Sequence, residues 1–173
     1  MSAVTTREDA VRLLEDQHAE LAGLLAGLDE DAFVRRGTIG GGDWSPKDLV
    51  AHLGSWEEFS LETIDAFRRG ERPTIEELYE TRTVDQINEQ DVARFLHAST
   101  PDVMSRFDDL HRRLTWEIGS TSEDEWAAEY PFDPDDRTLG DRIGSLLGSE
   151  TGRFMHASAH LPDLRAYADA TRR

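Results

Sequence analysis

Two histidines, His156 and His160, stand four residues apart in "FMHASAH". On a helix such a pair stacks on one face, where two imidazoles can hold one metal ion. A catalytic site of that kind needs about three protein ligands and one open position. His52, in "DWSPKDLVAHLGSWEE", is the natural third. It sits beside Leu53 and three residues after Leu49, so it faces a helical interior or its margin. The plainer alternative is a core histidine packed on Trp56 and hydrogen-bonded to a neighbouring helix. Residue types and spacing leave both open. The chain has no cysteine, so zinc, nickel or iron(II) are the expected ions, and a thiol nucleophile would have to arrive as a co-substrate. Lys47, the single lysine, falls in a helix first turn and is a poor Schiff-base candidate.

The other histidines carry no assignment. His18 lies on an apolar stripe, His97 near a helix end and His111 beside Leu110 at the edge of the core. Steps of four back from His156 give Gly152, Gly148, Gly144 and Gly140. Each costs a helix interior about 1 kcal/mol relative to alanine, so the row implies close packing or open space along that face. Trp44, Trp56, Tyr79, Asn88 and Arg153 are candidate pocket residues. Arg153, three before His156, is placed to meet an acidic substrate group. For each there is a plain reading too: aromatic core for Trp44, Trp56 and Tyr79, solvated surface for Asn88 and Arg153. No carboxylate stands out as a general base. Asp48, Glu150 and Asp163 are near enough in sequence to orient the imidazoles.

These residues must be positioned by helices. Thr6 with Asp9, or Thr5 with Glu8, caps a first helix whose stripe is Val11, Leu14, His18, Leu21, Leu25 and Leu28. "RRGTIGGGD" interrupts it as a flexible connection. Ser45, Pro46 and Asp48 open a second helix that stops at Gly70. Residues 74 to 96 hold one or two short helices with a break near Thr81 to Thr83. Thr100 caps and Pro101 opens the next helix, and "SEDEW" makes a further turn. Thr138 with Asp141 caps a last long helix that reaches at least Leu161 before Pro162. Nothing alternates as a strand. The expectation is all-α: a single domain over 1–173, a four-helix bundle.

Acids outnumber bases, 36 to 19, for a formal charge of -17. That repels phosphate backbones and anionic membranes, so no nucleic acid and no membrane are expected as partners. No apolar stretch approaches a spanning length and the N-terminus lacks a signal pattern, so a cytoplasmic location is expected.

"WSPKDLVAHLGSWEE" resembles the second-helix signature of the DinB-like superfamily. "TLGDRIGSLLGSETGRFMHASAH" resembles its last-helix pattern, which ends in two histidines four apart. "RGERPTIEELYETRTVDQINEQ" and "STPDVMSRFDDLHRRL" are similar to the ClbS/DfsB branch. The resemblance runs from about Thr6 to Leu161. It implies a DinB-like four-helix bundle with additional short helices, with His52, His156 and His160 holding a divalent metal. It also implies a homodimer, for which Leu13 and Leu24, off the core stripe, would supply apolar surface. Relatives include S-transferases and isomerases that use mycothiol, bacillithiol or glutathione, and ClbS-like proteins that hydrolyse a strained electrophilic ring. Some of that branch lack the full triad; this chain keeps it. The expected function is metal-dependent activation of water or a low-molecular-weight thiol for attack on a small-molecule electrophile, of the detoxification or self-resistance type. The alternative is a non-catalytic small-molecule-binding or stress-response bundle with a structural metal or none.

Overall fold

The computed structural model describes residues 6–39, 42–133 and 135–172. Its helices in chain order are α1 (Arg7–Leu25), α2 (Glu30–Val34), α3 (Pro46–Arg69), α4 (Thr74–Thr81), α5 (Val84–Arg94), α6 (Thr100–Ser120), α7 (Glu123–Trp126), α8 (Leu139–Leu146) and α9 (His156–Thr171). No strand forms among the described residues, only isolated bridges such as Ile39 with Trp44. The long helices close a ring: α3 packs on α6, α6 on α1, α1 on α9, and α9 on α3. This is the expected all-α bundle, with the short helices in its connections.

Local chemistry sets most boundaries. Thr6 caps α1 by accepting from the Asp9 amide; Thr5, the other expected cap, lies outside the described residues, as do Gly40 and Gly41. Ser45 and Asp48 form a reciprocal capping box at α3, Pro46 opens it, and Gly70 ends it at φ 67°. At α6 the cap is Ser99 rather than Thr100: its hydroxyl accepts from the Asp102 amide at 3.2 Å, and Pro101 still falls where no helical donor is required.

The core has two apolar clusters, and each helix that crosses between them carries polar residues at the crossing. On α1, Leu14 belongs to one cluster and Leu21 to the other, with Gln17 between them. On α3 the passage from Leu53 to Trp56 follows His52; on α6 the passage from Phe107 to Leu110 precedes His111. A polar waist therefore runs through the bundle. Leu13 and Leu24, expected to supply apolar surface for a second copy, are partly buried and also pack against these clusters.

The C-terminal region departs from expectation. There is no single helix from Thr138 to Leu161. α8 stops at Leu146, residues 147–155 form a turn, and α9 starts at His156 and runs through Pro162. The cause is Phe154. Its backbone is left-handed at φ 61° and its ring is fully buried, stacked with Trp126 at 6.2 Å. A non-glycine residue holds that conformation only when packing compensates. The glycine row makes the room: a Cβ on Gly140 would come within 2.5 Å of Trp126, and one on Gly144 within 2.7 Å of Phe154. Its purpose there is close packing. α9 then continues past Pro162 because Leu161, Leu164 and Ala168 are buried on the bundle, offsetting the lost helical hydrogen bond.

A glycine pair tests this account. Gly144→Ala is expected to destabilise the protein by roughly 1–3 kcal/mol through overpacking against Phe154. Gly23→Ala, on α1 with open space around the added methyl, is expected to stabilise by about 1 kcal/mol. Urea unfolding midpoints of the two variants should move in opposite directions.

Candidate metal centre

His52 reaches the site from the middle of α3, while His156 and His160 form one face of the first turns of α9. One ligand nitrogen from each lies within 4.8 Å of the other two. His52 Nε2 and His156 Nε2 are 2.9 Å apart. The rings of His52 and His160 are 5.5 Å apart and those of His156 and His160 5.4 Å. Burial holds all three imidazoles neutral. It pushes His52 well below the usual histidine value, with the neighbouring His156 and His160 adding to the effect. Burial, then His160, brings His156 down to about 3. Burial also lowers His160, against an opposing pull from Asp163. Three converging neutral imidazoles are the protonation state a metal ligand requires, so the donor set fits a divalent ion.

The helix that delivers two of these histidines has no side-chain cap of its own. Gln17 of α1 supplies it across the bundle. Its Oε1 accepts from the Ser158 amide at 2.9 Å, and its Nε2 donates to the carbonyls of Phe154 and Leu13, each at 2.7 Å. The His156 amide donates to the Leu147 carbonyl at 2.9 Å and that of Phe154 to Gly144 at 3.0 Å, so the turn is pinned from both sides. Gln17 was not read from the sequence as a site residue. The available signal was a polar side chain between Leu14 and Leu21 on an apolar stripe.

None of the proposed carboxylates orients an imidazole. Asp48 is occupied by the Ser45 amide and hydroxyl, Glu150 is exposed, and Asp163 acts on His160 through its charge alone. His52 Nδ1 is buried with no hydrogen-bond partner, and its ring is held by packing on Trp44, 4.7 Å between centroids. His18, His97 and His111 stay outside the triad. His18 and His111 stack at 3.9 Å, His18 lies 3.2 Å from Asp108, and His111 Nδ1 lies 3.0 Å from the buried Glu57.

The triad opens on a cavity of 320 Å³ lined also by Trp44, Trp56, Tyr79, Val84 and Asn88, and by Ser145, Leu146 and Gly148. Four of the five sequence-nominated pocket residues are therefore brought together. Arg153 is not: it borders an adjacent hollow, and its guanidinium is taken by Asp136 at 2.9 Å and by Asp141. The wall bearing Tyr79 is anchored by a buried charge cluster in which Arg142 meets Glu76 at 2.7 Å and Asp133 at 3.0 Å, while the Tyr130 hydroxyl donates to Glu76. Burial raises the Tyr79 hydroxyl to about 12, so it keeps its proton at neutral pH. Ser145 and Leu146 escaped the sequence reading because they lie inside the glycine row, where only the glycines stood out.

Residues 14–146, more than half of the chain, match the model of the mycothiol maleylpyruvate isomerase N-terminal domain. The chain belongs to this family. The matched span contains His52 and ends before His156 and His160. No curated protein is significantly similar in sequence. Among solved structures, the colibactin self-resistance protein ClbS in complex with a dsDNA aligns with a TM-score of 0.77 at 14% identity, over 96% of this chain and 97% of that one. An uncharacterised protein from Escherichia coli aligns at 0.76 with 15% identity, over 97% and 95%. A Streptococcus pneumoniae protein gives 0.61 with 14% identity, over 96% and 88%. The fold is DinB-like and close to that of ClbS. No helix among the described residues is long and apolar enough to cross a membrane.

The exclusion of nucleic acid is corrected by the ClbS complex: a protein of this fold has been crystallised on dsDNA. The charge argument failed because net charge is a sum, whereas phosphate contact is local. Even on this acidic chain, exposed Arg112 and Arg113 stand beside Trp116, itself 67% exposed, on α6, together with Glu117 and with Arg112 paired to Asp109 at 2.8 Å.

Two outcomes follow from this geometry. Gln17→Ala leaves the Ser158 amide and Phe154 carbonyl unpaired and is expected to weaken zinc binding about 10–100-fold in a chelator-competition titration, while His97→Ala leaves it unchanged. In the metal-free protein, imidazoles with lowered pKa take up protons more readily when unfolded. Their contribution is complete above about pH 6.5 and is lost as pH falls below it, at up to about 1.4 kcal/mol per pH unit for each. The urea midpoint of the parent should therefore fall more steeply between pH 7 and 5.5 than that of His156→Ala.

Proposed function

We propose that this protein is a divalent-metal-dependent enzyme that activates water or a low-molecular-weight thiol for attack on an electrophilic small molecule, in detoxification or self-resistance. The observation that carries this reading is the convergence of three neutral imidazoles, each with a ligand nitrogen within 4.8 Å of the others, on an open cavity. His52, His156 and His160 would hold the ion and leave one side free for reactants. A bound divalent ion would supply Lewis acidity, lowering the pKa of a water or thiol that reaches it. Membership of the mycothiol maleylpyruvate isomerase family favours the thiol branch, and the self-resistance role of ClbS favours the protective one.

The chain's own residues have distinct parts in this scheme. Trp44 and Trp56 flank His52 and give a flat, apolar wall against which an unsaturated substrate would lie. Tyr79, whose hydroxyl is protonated at neutral pH and meets Arg142 behind the wall, gives the cavity a neutral aromatic surface. Ser145 donates its proton to Asp136 at 2.7 Å, so towards the cavity it only accepts. Among the described residues no carboxylate lines the cavity, so no acidic side chain is placed to take the proton of the nucleophile, and solvent would receive it.

The decisive measurement is metal analysis of protein purified without a histidine tag, followed by reconstitution with zinc, nickel and iron(II). About one ion per chain is expected for the parent and for His97→Ala, and a large loss of affinity for His52→Ala and His156→Ala. Equal binding by His156→Ala and His97→Ala overturns the assignment. A turnover screen with mycothiol, bacillithiol, glutathione or water against electrophiles then separates enzyme from binder. Duplex DNA belongs among the ligands tested because ClbS was crystallised with it.

A further inference from the structure

Trp56 Nε1 donates to Asn88 Oδ1 at 2.9 Å. An indole N–H is a donor only, so the amide atom facing it must be the oxygen. The orientation of Asn88 is thereby settled by chemistry, and its Nδ2, with two donors, is the other end of the amide. Asn88 is half-buried and lines the cavity shared with the triad. Trp56 is 5% exposed, packs in the core and stands 6.0 Å from the His156 ring, so the amide is held by a rigid post next to the triad.

The rest of the cavity constrains what that donor meets. Besides the imidazoles, the described residues of its lining include no acidic and no basic side chain. Arg153 is turned to Asp136 and Asp141, and Arg142 to Glu76, Asp133 and Asp136. The cluster behind the wall holds Arg142 and Arg153 against Glu76, Asp133, Asp136 and Asp141, two cations facing four acids. In the metal-free cavity an anionic group would find no cationic side chain among the described lining residues and a negative background behind them; its one positive partner would be an ion on the triad. The aromatic and aliphatic surface of Trp44, Trp56, Tyr79, Val84 and Leu146 favours a flat, uncharged body.

We propose that Asn88 is a substrate-binding residue whose Nδ2 donates to the carbonyl or amide oxygen of an uncharged, partly planar group of the substrate. This deepens the enzyme reading above and rests on it for the identity of the site. Arg153 has no share in binding. Trp56 acts as the positioning residue that keeps the Asn88 amide from turning its oxygen into the cavity.

The test uses the full chain with nitrogen-15 labelling, freed of metal by chelation, and two probes of equal size: benzamide, which is neutral, and benzoate, which is anionic. Benzamide is expected to shift the Asn88 side-chain NH2 resonances, and benzoate to bind at least tenfold more weakly. Asn88→Asp keeps an acceptor for Trp56 and removes the donor, so benzamide affinity should fall about fivefold to tenfold while the Trp56 indole resonance stays in place. Trp56→Phe, which lets the amide turn, should lose part of the affinity. Zinc affinity, titrated in parallel, should not fall in Asn88→Asp relative to the parent, which shows the triad intact. Benzoate binding as tightly as benzamide, an Asn88 NH2 signal that does not move, or no benzamide binding at all each overturns the proposal. Because the probes are read without metal, a parent that fails to bind zinc would sink the enzyme reading separately.

Discussion

α9 begins with no cap of its own, and the site depends on what replaces it. Gln17, buried on the opposite helix, pairs with the Ser158 amide and the Phe154 carbonyl. A buried glutamine left unpaired is costly, so α1 and the start of α9 are locked in one register. That register places His156 and His160 opposite His52. Phe154 contributes from the other side: its left-handed backbone turns the chain out of the α8 direction, and its ring is held by Trp126 and the space above Gly144.

The three imidazoles sit in a polar waist between two apolar clusters, and the waist explains their chemistry. Burial makes protonation of all three unfavourable, so the same packing that stabilises the bundle keeps them in the neutral form that a cation would require. The waist also contains a separate arrangement, the stacked His18 and His111 with Glu57, in which each histidine faces a carboxylate. Parallel stacked rings do not aim their nitrogens at one point, which is why that pair is no second ligand set. The difference between the two groups is orientation rather than composition.

Charge behaves differently at different ranges. A total of -17 describes the long-range field and little else. Locally, the cavity is lined by neutral groups, the acids behind it are matched in part by Arg142 and Arg153, and exposed arginines accompany Trp116 on another face. The electrostatics that a substrate or a phosphate meets are set by these neighbourhoods.

The features legible in the residues were those governed by near neighbours along the chain. Ser45, Pro46, Asp48 and Gly70 mark α3 because capping and left-handed termination are local hydrogen-bonding events. The spacing of His156 and His160 places both on one face because helical periodicity is local, and His52 points inward because its apolar neighbours do. The break between α8 and α9 was not legible. Its cause is Phe154 finding Trp126 and Gly144, and without those partners the glycine row reads as part of a continuous helix. Gln17 as a cap, Arg153 as a closed ion pair and the orientation of Asn88 were hidden for the same reason. Each is decided by an atom supplied from a distant part of the chain: the Ser158 amide, the Asp136 carboxylate and the Trp56 indole. Periodicity determines which face a side chain occupies; only the assembled bundle decides what that face meets.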